Sequence, residues 1–385
     1  MIQTLRKKKI DRIHIAYFIG SLDLGGTEKQ LLTLLNSLDK KKFKIDLYII
    51  RKEGELFEKL DKRIKVYLPK FRFKSKLRHL PNLIINYYRV RKTKPDIIHC
   101  FLPLAYLIGG FIGLFAKNEN IIMSRRSLNY YQKKIRFLPI RRIENFLHER
   151  ISLIIANAIA VKKNLIQEGA SDKKIKVIHN GFIKPKSSQN ETCTILKKKI
   201  GIKKNCFVFL VLANLIPYKN HELVIEAAEI LVNLTKKEFK IIFLGSGEDK
   251  YKKFLKDLIK NKKLQKYFSF IDKTINTQNF FKISDVGISS SLEEGLSNSL
   301  IEFISFGIPA IATKVGGNAE IINDKNGFLI ENNNRDELVK AMKISMLNKK
   351  LLHSKAIKSK EDSKKFLLSK MINDHNTLYK KIISK

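Results

Sequence analysis

Short runs of β-branched and aromatic residues recur along the chain, and stretches of helical periodicity separate most of them. A first series comprises IHIAYFI (covering 14–19), FKIDLYII (43–50), IKVYL (64–68), DIIHCF (96–101), NIIMS (120–124), SLIIA (152–156) and IKVIH (175–179). A second comprises CFVFLVLA (206–213), FKIIFLG (239–245), FSFI (268–271), DVGISS (285–290), PAIAT (309–313) and GFLI (327–330). Strands that alternate with helices predict parallel sheets with helices on both faces. Two such series predict an α/β protein with two doubly wound domains.

The polar segment 180–193, NGFIKPKSSQNETC, reads as the linker between them. The expected division is a first domain over 1–185, a second over 190–363 and a final helix over 364–385. Beyond about residue 334 the chain reads as helical and rich in Lys. Ligands of open α/β sheets bind beyond the carboxyl ends of the strands, at helix N-termini and Gly-rich turns. The chemistry is therefore expected in the loops that follow strands, facing a cleft between the two domains.

One such loop stands out. After DVGISS come Leu292, Glu293, Glu294, Gly295, Leu296, Ser297, Asn298 and Ser299, then a helix ended by Gly307 and Pro309. The first turn of a helix offers unpaired N–H groups and the positive end of its dipole. Small residues at Ser297, Asn298 and Ser299 allow a diphosphate to approach that backbone. Glu294, before the helix, and Glu302, within it, suit hydroxyl groups and not phosphates. Ser299 and Glu302 also match a capping box, in which Glu302 would only satisfy backbone donors; spacing alone leaves both readings open.

The stretch EEGLSNSLIEFISFGIPAIATKVGGNAEII, with NGFLI after it, resembles the signature of glycosyltransferase family 4, whose fold is the two-domain GT-B. The matching elements are Glu294 and Glu302, the turn Gly307-Ile308-Pro309, and Gly316, Gly317 and Glu320. GGTEKQLLTLL (25–35), KPDIIHCF (94–101), KIKVIHNGF (174–182), LANLIPYKNHELVIEA (212–227) and IIFLGSGED extend the similarity over about 14–345. The resemblance implies a retaining transferase, hexosyl or N-acetylhexosaminyl, that takes a sugar from a UDP- or GDP-sugar and needs no metal or other cofactor. It implies that Glu302 bonds the ribose hydroxyls, that Glu294 contacts the sugar and that Lys219 neutralises the diphosphate. Backbone N–H groups near Asn298, Ser299 and Leu300, with Gly26 of the first domain, would cradle the phosphates. It also implies that the last helix packs back towards the first domain. Two positions depart from the pattern. Asn214 stands where many members carry Arg, and Arg125 and Arg126 occupy a loop where many carry His. Those two arginines and His99, at the end of a strand, are candidates for contact with acceptor or phosphate.

Charge adds a partner. The chain carries 76 Lys+Arg against 36 Asp+Glu in 385 residues, a formal +40, and residues 1–200 hold 44 bases against 16 acids. Residues 62–94 contain twelve bases and no acid, interleaved with Tyr67, Phe71, Phe73, Tyr87 and Tyr88; 130–142 repeats the combination. Bases with interfacial aromatics suit an anionic membrane surface, which favours a glycan or polyprenyl-linked acceptor for a family whose first domain meets the acceptor. A solvated basic face and single-stranded nucleic acid are the alternatives, nucleic acid the least favoured. The run LAYLIGGFIGLFA (104–116) is shorter than the roughly 20 residues that span a bilayer, and reads as a buried crossover helix. Scattered Cys100, Cys193 and Cys206 fit a reducing cytoplasm, and the N-terminal IHIAYFIG reads as a first strand and not a signal peptide. The expected location is the inner face of the cell membrane. Competing functions are a sugar-nucleotide 2-epimerase and a non-enzymatic binder of anionic polymers.

Overall fold

A computed structural model describes residues 12–71, 79–128, 140–183, 190–272 and 277–384. The chain forms two compact units, one of Met1–Gly181 with Ser369–Lys385, the other of Phe182–Leu368.

In chain order the first unit holds β1 (Ile13–Ser21), α1 (Gly26–Ser37), β2 (Phe43–Lys52), β3 (Lys65–Tyr67), α2 (His79–Thr93), β4 (Ile97–Phe101), α3 (Pro103–Phe115), β5 (Ile121–Arg125), α4 (Ile140–Arg150), β6 (Leu153–Ala156), α5 (Ile159–Gln167) and β7 (Ile175–Val177). The seven strands pair in parallel in the order β3-β2-β1-β4-β5-β6-β7. The order reverses direction at β1 and β4, the kind of switch point beside which open sheets bind ligands. Strands β4 and β5 are buried along their whole length, as expected of strands covered on both faces.

The second unit holds α6 (Asn190–Ile200), β8 (Phe207–Leu212), α7 (His221–Leu234), β9 (Phe239–Leu244), α8 (Asp249–Asn261), β10 (Phe268–Ile271), α9 (Gln278–Lys282), β11 (Val286–Ser289), α10 (Asn298–Ser305), β12 (Ala310–Thr313), α11 (Asn318–Ile321), β13 (Gly327–Ile330), α12 (Arg335–Leu347) and α13 (Lys349–Asp362). Its six parallel strands run β10-β9-β8-β11-β12-β13, with the switch between β8 and β11. Each run of apolar residues read as a strand forms one. Of the expected linker, 184–189 lie outside the described residues, and from Asn190 the chain is already helical.

The last helix, α14 (Leu368–Ile383), belongs from Ser369 onward to the first unit. Its Tyr379 hydroxyl, fully buried, accepts from the Tyr17 hydroxyl of β1 at 2.9 Å and meets His99 Nδ1 of β4 at 2.9 Å.

Helix α3 corrects one expectation. It was read as buried, and most of it is, Tyr106 and Ile112 completely, but Phe115 is 65 % exposed. Ala105, Gly109 and Gly113 lie inward, and a Cβ on Gly109 would stand 2.6 Å from Cys100 Sγ; one on Gly113 would stand 2.6 Å from Ile121 Cδ1. Small residues bring the helix close to the sheet, and Phe115, at its end, lies exposed.

Candidate active site

In the second unit the loops beyond β8, β11 and β12 converge. After β8 the chain makes a short turn at Pro217–Lys219, then enters the left-handed region at Asn220 (φ 52°) before α7. Asn tolerates that conformation better than most residues, and its amide donates to Asn333 Oδ1 at 3.0 Å. The turn is fastened to the end of β11: Ser290 Oγ donates to the carbonyls of Lys219 (3.0 Å) and Asn220 (2.8 Å), and Leu292 N donates to Tyr218 O (2.9 Å). Lys219 Nζ then lies 2.5 Å from Glu294 Oε1, and Ser291 Oγ donates to the same oxygen at 2.8 Å. Both members of the pair are mostly shielded, with side chains 17 % and 12 % exposed. Burial pulls the Lys219 pKa down, but the charge of Glu294, then that of Tyr218 and the hydrogen bond to Glu294, outweigh it, and the net shift is upward. The ammonium is therefore fully charged at neutral pH.

Helix α10 begins at Asn298, and its cap is Ser297, whose hydroxyl accepts from Leu300 N at 3.4 Å. The position three residues past the cap is Leu300, so Ser299 and Glu302 are not a capping box. Glu302 is half-buried, one turn into the helix. The helix is seated by Phe303, whose ring fills the space a Cβ on Gly287 of β11 would need (2.4 Å), and Phe281 packs edge-on against it. Beyond β12, Gly316 has φ +50°, and a Cβ there would lie 1.7 Å from Glu294 O. Gly317 N donates to Gly295 O at 2.9 Å. The Gly-Gly pair thus lets two loops lie in contact and holds Glu294 from behind. Asn214 is exposed, in a loop whose close partner is Gly245.

The supporting residues Ser290, Ser291, Thr313 and His221 escaped the sequence reading. Thr313 Oγ1 donates to Ser291 O at 2.6 Å. The signal for the serines was the run Ser289-Ser290-Ser291 at the end of an apolar strand. His221 carried none. It is fully buried near Lys219, with neither ring nitrogen hydrogen-bonded among the described residues, and burial together with the Lys219 charge pushes its pKa down to about 4.

In the first unit two candidates change role. Arg125 is 1 % exposed; its guanidinium lies 3.1 Å from Glu168 and 3.7 Å from Glu144, and its Nε donates to Ser127 O. A buried guanidinium requires such partners, and these hold α4 and α5 to β5 in place of any phosphate. His99 has no exposed surface, and its second nitrogen, Nε2, meets Ser124 Oγ at 2.8 Å. It is an internal tie between β4, β5 and α14. Burial, then His375 and Arg126, push its pKa well down. Arg126 remains a candidate. Half-buried, it donates to Asn180 Oδ1 and lies 6.0 Å from the Phe101 ring centroid. Burial lowers its pKa to about 10 despite the nearby charge of Glu28. Gly26 opens α1, and the Glu28 carboxylate folds back over Gly25, where a Cβ would stand 1.9 Å from Oε2.

The comparisons agree with this geometry unit by unit. Residues 24–183 match the model for Glycosyltransferase Family 4, and residues 194–362 match that for Glycosyl transferases group 1. The chain belongs to the family 4 glycosyltransferases, with the GT-B fold. It is 27 % identical, over 87 % of its length and 88 % of the relative's, to the UDP-Gal:alpha-D-GlcNAc-diphosphoundecaprenol alpha-1,3-galactosyltransferase of Escherichia coli. A Campylobacter jejuni N-acetylgalactosamine-N,N'-diacetylbacillosaminyl-diphospho-undecaprenol 4-alpha-N-acetylgalactosaminyltransferase is 25 % identical over 94 % and 97 % of the two chains. Anabaena HepE, solved in complex with UDP and glucose, superposes with a TM-score of 0.83 at 19 % identity, over 96 % of this chain and all of that one.

Proposed function

We propose that the protein moves a hexosyl or N-acetylhexosaminyl group from a UDP-sugar to a polyprenyl-diphosphate-linked glycan, with retention of anomeric configuration. The observation that carries this reading is the Lys219–Glu294 pair, braced by Ser291 beside the N-terminus of α10. In the free protein the carboxylate already neutralises Lys219. A nucleotide diphosphate brings a stronger claim on the ammonium, which turns from Glu294 to the phosphates and leaves the carboxylate to the sugar. The bond between the anomeric carbon and the diphosphate oxygen then breaks, its electron pair leaves with the nucleotide, and the acceptor oxygen takes its place on the same face of the sugar, its proton passing to the departing phosphate oxygen. Lys219 and the N–H groups of Asn298, Ser299 and Leu300 stabilise the departing charge, and Glu294 steadies the positive charge that develops on the sugar. Glu302 serves the ribose.

The choice of UDP and of a lipid-linked acceptor follows the activities for which the Escherichia coli and Campylobacter relatives are named and the UDP held by HepE. Thermal-shift titration with UDP, GDP and their sugars tests the donor. Stabilisation by UDP and UDP-sugars is expected; none from any nucleotide would sink the reading.

A further inference from the structure

Helix α3 is apolar all round, packs on the sheet and on α2 and α4, and still leaves part of its surface uncovered. Gly109 and Gly113 let it approach β4 and β5, and buried Tyr106 meets His148 Nδ1 of α4 through its hydroxyl. On its outer side Phe111 stacks on Phe115 (6.3 Å between centroids) and on Phe146 of α4 (6.1 Å). Phe115 is 65 % exposed and Phe146 40 %, and α2, which packs on α3, adds exposed Ile84 and Tyr88. Exposed bases lie on the same elements: Lys117 follows α3, Arg142 is one turn before Phe146 on α4, and the Arg150 guanidinium stacks 3.7 Å over the Phe146 ring. Two acids, Glu119 and Glu149, are exposed beside them.

We propose that the outer face of α3 and α4 docks on an anionic lipid bilayer, with Phe111, Phe115 and Phe146 entering the interface and the bases meeting the headgroups. An exposed aromatic cluster is a liability unless something covers it. The first 200 residues carry 44 bases against 16 acids, so the cover must tolerate or welcome a strong positive field. A negatively charged bilayer does so, and aromatic rings with flanking Lys and Arg suit its interface. A second copy of the same basic surface would repel this one. The membrane contact thus centres on α3 and α4, a face the sequence reading took as core, and takes in Ile84, Tyr88 and Arg142 from the stretches 62–94 and 130–142, of which 72–78 and 130–139 lie outside the described residues. This deepens the lipid-linked acceptor reading, because it brings the enzyme to the surface where such an acceptor lies.

The chain contains no Trp, so Phe115→Trp places a single reporter in the face. With vesicles of phosphatidylglycerol and phosphatidylcholine its emission should shift to the blue and be quenched by brominated acyl chains. Phe254→Trp, at an exposed site of the second unit, should not respond. The pair Phe115→Ser and Phe146→Ser should lower vesicle partitioning at least about tenfold while circular dichroism and UDP binding stay unchanged. Unshifted emission on vesicles that bind the protein, an equal shift at Phe254→Trp, or unchanged partitioning of the serine variant would overturn the proposal. So would self-association of the wild type that the serine pair abolishes. The vesicles hold no donor or acceptor, so the result is independent of catalysis. Transfer to a detergent-dispersed acceptor with no vesicle insertion would sink this face and leave the transferase reading standing.

Discussion

At the residue scale the Lys219–Glu294 pair alters what substitution should do. If the carboxylate competes with phosphate for the ammonium at 2.5 Å, then Glu294→Gln should raise UDP affinity while it lowers turnover, since its contact with the sugar strengthens as charge develops. Lys219→Ala and Glu302→Ala should each weaken UDP by the worth of a charged hydrogen bond, about 1.5–3 kcal/mol or roughly 10- to 150-fold. Calorimetric titration of the three variants decides this; a Glu294→Gln variant that loses UDP affinity would show that the carboxylate supports the nucleotide and does not compete with it. Glu294 and Glu302 stood out because one short helix and its preceding loop carry them as local information, although spacing alone left a capping box open; Lys219, 75 positions before Glu294, entered only through the family resemblance. The roles of Arg125 and His99 were not legible. Whether an Arg at a strand end is solvated or buried depends on Glu144 and Glu168, 19 and 43 positions onward, and the fate of His99 depends on Tyr379, 280 positions away. Nothing within a few residues of either reveals those partners.

At the scale of elements, the central strands were legible from apolar runs, because a strand covered on both faces has no polar side to confuse the pattern, while the edge strands β3 and β7, each with an exposed Lys, rested on shorter runs. Helix α3 misled for a related reason: uniform apolarity says that both sides avoid water, not what each side touches. Gly109 and Gly113 held the clue, since glycine inside a helix is unfavourable by about 1 kcal/mol against Ala and calls for a packing reason. The loops over Glu294 obey the same logic. Gly316 combines φ +50° with a carbonyl 1.7 Å from where its Cβ would be, so Gly316→Val must move the loop that carries Glu294. Turnover should fall by more than tenfold, together with a stability loss of about 1–3 kcal/mol. Gly20→Ala, which would meet nothing within 4 Å, serves as the neutral control. A fully active Gly316→Val variant would show that the contact between the loops does not position the carboxylate.

At the scale of the whole molecule, charge and buried histidine act together. His148 and His375, like His221, have pKa values near 4, each mainly through burial, and that of His99 is also well down. The unfolded chain takes up these protons near pH 6.5, while the folded chain holds them off until about pH 4. Stability should therefore be at its full value above about 6.5 and fall as the pH drops through that window. Each histidine adds a slope of about 1.4 kcal/mol per pH unit where only the unfolded state is protonated. The molecule already carries +40, and its own field further resists protonation of the folded state. His221 separates this effect from ordinary carboxylate titration. Its ring lies edge-on to Phe243 at 5.0 Å, and neither nitrogen is hydrogen-bonded among the described residues, so an apolar residue of similar size can take its place at little expense. His221→Leu should keep or raise the melting temperature at pH 7 and reduce the fall between pH 6.5 and 4 by one proton's share. Urea unfolding at half-unit pH steps measures that share directly. A slope unchanged from the wild type would mean that His221 takes up its proton in the folded state as readily as in the unfolded one, and that burial near Lys219 does not keep it neutral.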